Sequence, residues 1–147
     1  MAKTALRKQM EQLNEGWRTI DSLYDQFARS AGLSYMSLSV LEYIYETSGT
    51  CTQKLICEYT HYPKQTVNMI IRTLWEKGYV EMKEIDSDRR NKAINLSKTG
   101  REYAGKVVGK LAQVEEHVMN QMTDAQFRLM LDLTQKIENS MRENMQI

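Results

Sequence analysis

The sequence predicts a mainly α-helical domain carrying one small β-ribbon, and three observations predict it. Apolar residues recur at intervals of three and four along most of the chain, the spacing that lays a stripe down one side of a helix. That period gives way to strict alternation in one place, after Gly78. One proline and seven glycines in 147 residues are too few for a many-turned β architecture. The length suits one domain with a real core, and 41% hydrophobic with 27% charged residues is ordinary globular composition. No run approaches the roughly eighteen apolar residues of a membrane span. The opening Met1-Ala2-Lys3-Thr4-Ala5-Leu6-Arg7-Lys8 lacks the apolar stretch of a secretory signal, and two cysteines make no disulfide scaffold. The expectation is a cytoplasmic chain with no membrane partner.

The elements follow in order. Leu13, Trp17, Ile20, Tyr24 and Phe27 form one stripe of a helix over roughly residues 3–30, which Ala31-Gly32 stops. Ser34 is a suitable N-cap for a second helix bearing Leu38, Leu41, Ile44 and Tyr45 and ending near Ser48-Gly49. Thr52 caps a short third helix with Leu55, Ile56 and Tyr59. A fourth begins at Pro63, whose fixed φ suits a first helical turn, and ends at Lys77-Gly78. Val67, Ile70, Ile71 and Leu74 make its buried face, which leaves Lys64, Gln65, Asn68 and Arg72 together on the opposite one.

After Gly78, Val80 and Met82 alternate with Glu81 and Lys83, and Ile94 and Leu96 with Asn95 and Ser97, the pattern of a two-stranded hairpin. Between them, Asp86 to Lys92 reads as a charged connection too long for a tight turn. Such a ribbon is marginal alone and must lean on the helices. From Ser97 to about Gln121 helical spacing returns, through Tyr103, Val107, Leu111, Val114 and Val118. Thr123-Asp124-Ala125-Gln126 has the form of a capping box opening a last helix with Phe127, Met130, Leu131, Ile137, Met141 and Met145. The apolar stripes of these terminal helices outrun what the short central part can cover. Packing against a second copy would bury them, and Met119, Met122, Met130, Met141 and Met145 suit an adaptable interface.

Charge adds a modest bias. Residues 61–96 carry seven basic and five acidic side chains, whereas the flanking segments are balanced or slightly acidic. The helix-turn-helix order followed by a charged ribbon reads as a winged helix-turn-helix flanked by N- and C-terminal dimerisation helices. In that reading Gln65 and Asn68 carry amides able to pair with adenine, Lys64 reaches guanine or phosphate, and Thr66 and Arg72 suit the DNA backbone. An arginine at the ribbon tip fits the minor groove, whose negative potential deepens in narrow A·T-rich sequence.

Residues 33–100 resemble the multiple antibiotic resistance regulator (MarR) family of bacterial transcription factors. The match rests on Pro63-Lys64-Gln65-Thr66-Val67-Asn68, on Leu74 through Lys77-Gly78-Tyr79-Val80, on Asp88-Arg89-Arg90, and on Leu96-Ser97-Lys98-Thr99-Gly100 in that order and spacing. The resemblance implies a homodimer on a pseudo-palindromic double-stranded operator, usually a repressor released by a small molecule or by oxidation. It makes Arg90 the minor-groove arginine, Asp88 the carboxylate that orients it, and Arg89 a backbone contact. It divides the chain into dimerisation helices (1–32 and 97–147) and a DNA-binding part (33–96) within one continuous structural unit. Two residues depart from the family pattern. Thr99 replaces a charged residue, and Trp75 replaces a polar one, where it could meet the dimerisation helices, the DNA backbone or a ligand.

Other readings start from particular residues. Trp17, Tyr24, Tyr35, Met36, Tyr43 and Tyr103 could line a cleft for an apolar or aromatic effector, although aromatic stripes at helical spacing are more often plain core. Cys57 falls where a small buried residue packs between two helices, whereas Cys51, before a helix start, is the better thiol sensor because a helix N-terminus lowers thiol pKa. His61, His117 and the two cysteines show no zinc-ligand spacing. Glu115, Glu116 and His117 point in different directions around one helix. No nucleophile motif, phosphate-binding glycine loop or paired carboxylates stand out, so neither an enzyme, a metal nor a cofactor is expected. A winged-helix adaptor that binds protein instead of DNA is the alternative from another class.

Overall fold

A computed structural model describes residues 4–146, with the side chain of Arg89 outside the described set. Among the described residues there are six helices and one antiparallel ribbon: α1 (Ala5–Ser30), α2 (Tyr35–Glu46), α3 (Gln53–Thr60), α4 (Lys64–Glu76), β1 (Val80–Ile85), β2 (Asp88–Leu96), α5 (Lys98–Met119) and α6 (Asp124–Met145). The mainly α-helical class with a β-wing is thus the observed one. The chain forms two compact units, Met1–Val108 and Gly109–Ile147, divided within α5.

Local chemistry sets most boundaries. Ser34, Thr52 and Thr123 each accept a backbone N–H from three residues on, and Thr123 with Gln126 completes a reciprocal capping box. Gly32 and Gly78 adopt the left-handed φ that ends α1 and α4. Two boundaries differ slightly from expectation. Pro63 is the N-cap of α4, with extended ψ, so the helix proper starts at Lys64. Helix α2 stops at Glu46, where the Thr47 hydroxyl donates to the Tyr43 carbonyl at 2.6 Å.

The core of the first unit lies between α2, α3, α4 and the root of the ribbon. Leu38, Val40, Leu41, Ile44, Ile56, Val67, Ile71, Leu74, Val80 and Ile94 are buried there. Strand β1 pairs with β2 from Val80 opposite Leu96 to Glu84 opposite Lys92. A short bridge, Thr52 to Ala93, and the Ile94 N–H donating to the Cys51 carbonyl at 2.8 Å anchor the ribbon beside α3. This supplies the support a lone hairpin lacks.

Ser97 joins the ribbon to the end of α4. Its N–H donates to the Tyr79 carbonyl at 3.0 Å, its hydroxyl donates to the Gly78 carbonyl at 2.6 Å, and its Oγ accepts the Gly100 N–H at 2.9 Å. The crossing is close enough to require glycine: a Cβ on Gly100 would lie 1.9 Å from the Tyr79 carbonyl oxygen, a backbone atom that cannot swing away. Gly16, inside α1, has open space around its missing Cβ. Chemical denaturation should therefore separate the two. Gly100→Ala is expected to cost at least ~2 kcal/mol by overpacking, whereas Gly16→Ala is expected to gain about 0.5–1 kcal/mol from helix propensity. Equal stability of both variants with the wild type would contradict this crossing.

Candidate nucleic-acid interface

Helix α4 is oriented by its own sequence. Val67, Ile70, Ile71 and Leu74 are all buried, which turns Lys64, Gln65, Asn68 and Arg72 to solvent. Thr66 is half-buried and sits apart from that polar face. The connection from α3 is held at both ends. His61 takes the left-handed conformation (φ 57°) that closes α3, and the Gln53 side-chain amide donates to the Lys64 carbonyl at 3.1 Å. Pro63 offers no side-chain cap to the first turn of α4. Its orphan N–H groups are left for water or an anion. Arg72 pairs with Glu76 at 3.0 Å, both side chains well exposed. Such a pair holds weakly and can be exchanged for another anion.

The ribbon tip is tighter than the sequence led us to expect. Only Asp86 and Ser87 form the turn, and β2 already begins at Asp88. The register jumps from Glu84 opposite Lys92 to Ile85 opposite Asp88, so Arg89, Arg90 and Asn91 are the extra residues of a bulge. Asp88 holds that bulge: one carboxylate oxygen accepts the Arg90 N–H at 3.0 Å and the other accepts the Asn91 side-chain amide at 2.8 Å. These bonds to Asn91 and Arg90 keep the Asp88 carboxyl below its usual range. The grip is made to the ionised form, so it is present at neutral pH and lost as pH falls through that lowered value. The Arg90 side chain stands exposed at the tip. Asp88 thus positions Arg90 through its backbone, while the Arg89 side chain lies outside the described residues.

Four of the residues proposed to line a cleft, Tyr24, Tyr35, Tyr43 and Tyr103, stack in three separate pairs. Tyr24 stacks on Tyr35 with ring centroids 5.2 Å apart. Tyr43 instead stacks on Tyr59 at 4.6 Å, and Tyr103 on Tyr79 at 4.5 Å while its hydroxyl donates to the Ala31 carbonyl at 2.7 Å. Met36 is half-buried and Trp17 is exposed on α1. Tyr59 and Tyr79 were missed as partners because each lies on a different element from the ring it meets. Among the described residues no three His, Cys, Asp or Glu side chains converge as a metal site would require.

The cysteines reverse the roles assigned from sequence. Cys51 is the buried thiol, 2% exposed, and Cys57 is half-buried. Pairing of the Cys51 backbone with Ile94 carries its side chain inward, ahead of a helix start already capped by Thr52. Burial then pushes the Cys51 thiol up to about 11, opposite to the activation expected of a helix N-terminus. This removes the physical basis for Cys51 as a redox sensor.

Comparison with known proteins places these features in a common frame. The model of the MarR family matches residues 31–91. A solved structure of NMB1585, a MarR family regulator from Neisseria meningitidis, is 31% identical, with 92% of this chain and 98% of that chain covered at a TM-score of 0.74. YwoH, an uncharacterized HTH-type transcriptional regulator from Bacillus subtilis strain 168, is 29% identical over 118 residues, 80% of this chain and 85% of that protein. The fold is also that of S. aureus MepR in a DNA complex, at 20% identity and TM-score 0.73, covering 86% of this chain and 96% of MepR.

The thiol assignment can be checked by alkylation at neutral pH. Labelling of the folded protein is expected at Cys57, so Cys57→Ser abolishes it and Cys51→Ser leaves it unchanged. Cys51 becomes reactive only on unfolding or as pH approaches 11. Rapid neutral labelling of Cys51 would contradict its burial.

Proposed function

This chain belongs to the MarR family of transcriptional regulators, and from that premise we propose that it is a homodimeric, sequence-specific DNA-binding repressor released by a small molecule. One observation carries the reading. The apolar stripe of α4 is fully buried while its amide- and cation-bearing side faces out, and the exposed Arg90 follows on a bulged ribbon. An α-helix fills a major groove, and Gln65 and Asn68 on its first turns suit adenine edges. Lys64 would meet guanine or phosphate, Thr66, Arg72 and Arg89 the DNA backbone, and Arg90 the minor groove. Residues 33–96 then form the DNA-binding part. A chain whose partner is genomic DNA would work in the cytoplasm. Among the described residues no helix is long and apolar enough to cross a membrane.

The dimer is supported by apolar residues left in the open. On α1, Leu6, Met10, Leu13, Trp17 and Ile20 are exposed, and on α6 so are Met130, Leu131, Met141 and Met145. Residues 1–32 and 97–147 would be the dimerisation helices, giving the two-fold relation that a pseudo-palindromic operator demands. An apolar or aromatic effector would act by binding one spacing of the two recognition helices better than another. The Tyr24–Tyr35 stack near the end of α1, with Trp17 two turns earlier and Met36 beside it in sequence, is the aromatic surface that fits such a ligand.

Fluorescence anisotropy with an operator selected from a random duplex pool tests the assignment. Asn68→Ala is expected to weaken binding about tenfold or more per half-site, and Arg90→Ala comparably, with circular dichroism and dimer mass unchanged. Wild-type affinity should fall by about three orders of magnitude between roughly 50 and 200 mM salt. Unchanged affinity in both variants, or a monomeric mass by light scattering, would overturn the reading.

A further inference from the structure

Met69 is the most exposed large apolar side chain between α2 and the end of the ribbon, at 70% of its full accessibility. It stands on α4 one turn after Gln65, next to Asn68 and three residues before Arg72, on the side opposite the buried Val67, Ile70, Ile71 and Leu74. Helix propensity does not explain it, because Lys, Gln, Glu or Arg would serve as well there without exposing a thioether. Nor does packing within this chain, since a side chain so exposed adds little to the core.

We propose that Met69 reads the 5-methyl group of a thymine in the operator. The inference rests on the DNA-binding role proposed above and adds a specificity-determining residue to it. In the major groove the thymine methyl is the apolar feature that distinguishes one base edge from the others. Gln65 and Asn68, flanking Met69 on the helix surface, bear the amides that pair with adenine N6 and N7. A helix that places an adenine edge against them also faces the methyl of the thymine paired with that adenine. Methionine's unbranched, polarizable chain adapts to such a contact. Trp75, also 52% exposed, lies in the last turn of α4, away from the first turns that reach base edges.

The contact can be isolated at one carbon. In the selected operator each thymine is replaced in turn by deoxyuridine, which removes only the 5-methyl, and each duplex is titrated with wild type, Met69→Ala and Met69→Leu. At one thymine per half-site the wild type is expected to lose about fourfold in affinity, the size of one buried carbon group. Met69→Ala should bind thymine and deoxyuridine duplexes equally, and Met69→Leu should keep a preference for thymine. A methyl scan without effect on the wild type, or a penalty equally large in Met69→Ala, would overturn the inference and leave DNA binding standing. A wild type that selects no duplex at all would overturn both.

Discussion

The burial of four aliphatic side chains on one side of α4 is the constraint on which the rest depends. Val67, Ile70, Ile71 and Leu74 enter the core with Leu38, Leu41 and Ile56. At roughly 1.5–3 kcal/mol for each fully buried aliphatic chain, rotating the helix would forfeit a large part of a small domain's net stability. The polar side of α4 is therefore fixed in the open by the hydrophobic effect, not by any interaction of its own. Its few local bonds, such as Arg72 with Glu76, are too exposed and weak to do that. A rigid display of this kind lets a protein recognise a surface without first ordering its own side of the contact.

The ribbon obeys a second constraint, connectivity to the end of the same helix. Ser97 binds the Gly78 and Tyr79 carbonyls, and Gly100 passes against Tyr79 too closely for any Cβ. The root of the ribbon is thereby tied to α4, and the Cys51–Ile94 bond ties it to α3. At the tip, the Asp88 carboxylate accepts both the Arg90 N–H and the Asn91 side-chain amide, and so sets where the Arg90 backbone lies. Net charge contributes little, since the whole chain carries only +1. The chemistry is carried by placement.

Much of this was legible in the residues. The caps Ser34, Thr52 and Thr123, the glycine ends of α1 and α4, and the split of α4 into buried and open sides depend on neighbours within one or two turns, and local pattern reads such neighbours well. What depended on distant partners was not. The bulge at Arg89 to Asn91 exists because of cross-strand register and an Asp88 side chain that satisfies its donors, so a loop was expected where β2 begins. Cys51 is buried because Ile94, far along the chain, pairs with its carbonyl. Tyr43 and Tyr103 find their stacking partners on α3 and after α4, rings that no local pattern links to them. Met69 escaped notice for a different reason: amphipathic pattern sorts residues into apolar stripe and polar face, and it is an apolar residue on the polar face.

Amide chemical shifts recorded while an operator duplex is titrated into the protein test the central claim most directly, because they report each turn of α4 separately. The account predicts that the largest changes fall on Lys64, Gln65, Asn68 and Met69 and at the ribbon tip around Arg90, with the amides of the buried Ile71 and Leu74 nearly still. Saturable binding with those signals unmoved, and with the shifts gathered on another surface of the molecule, would contradict it.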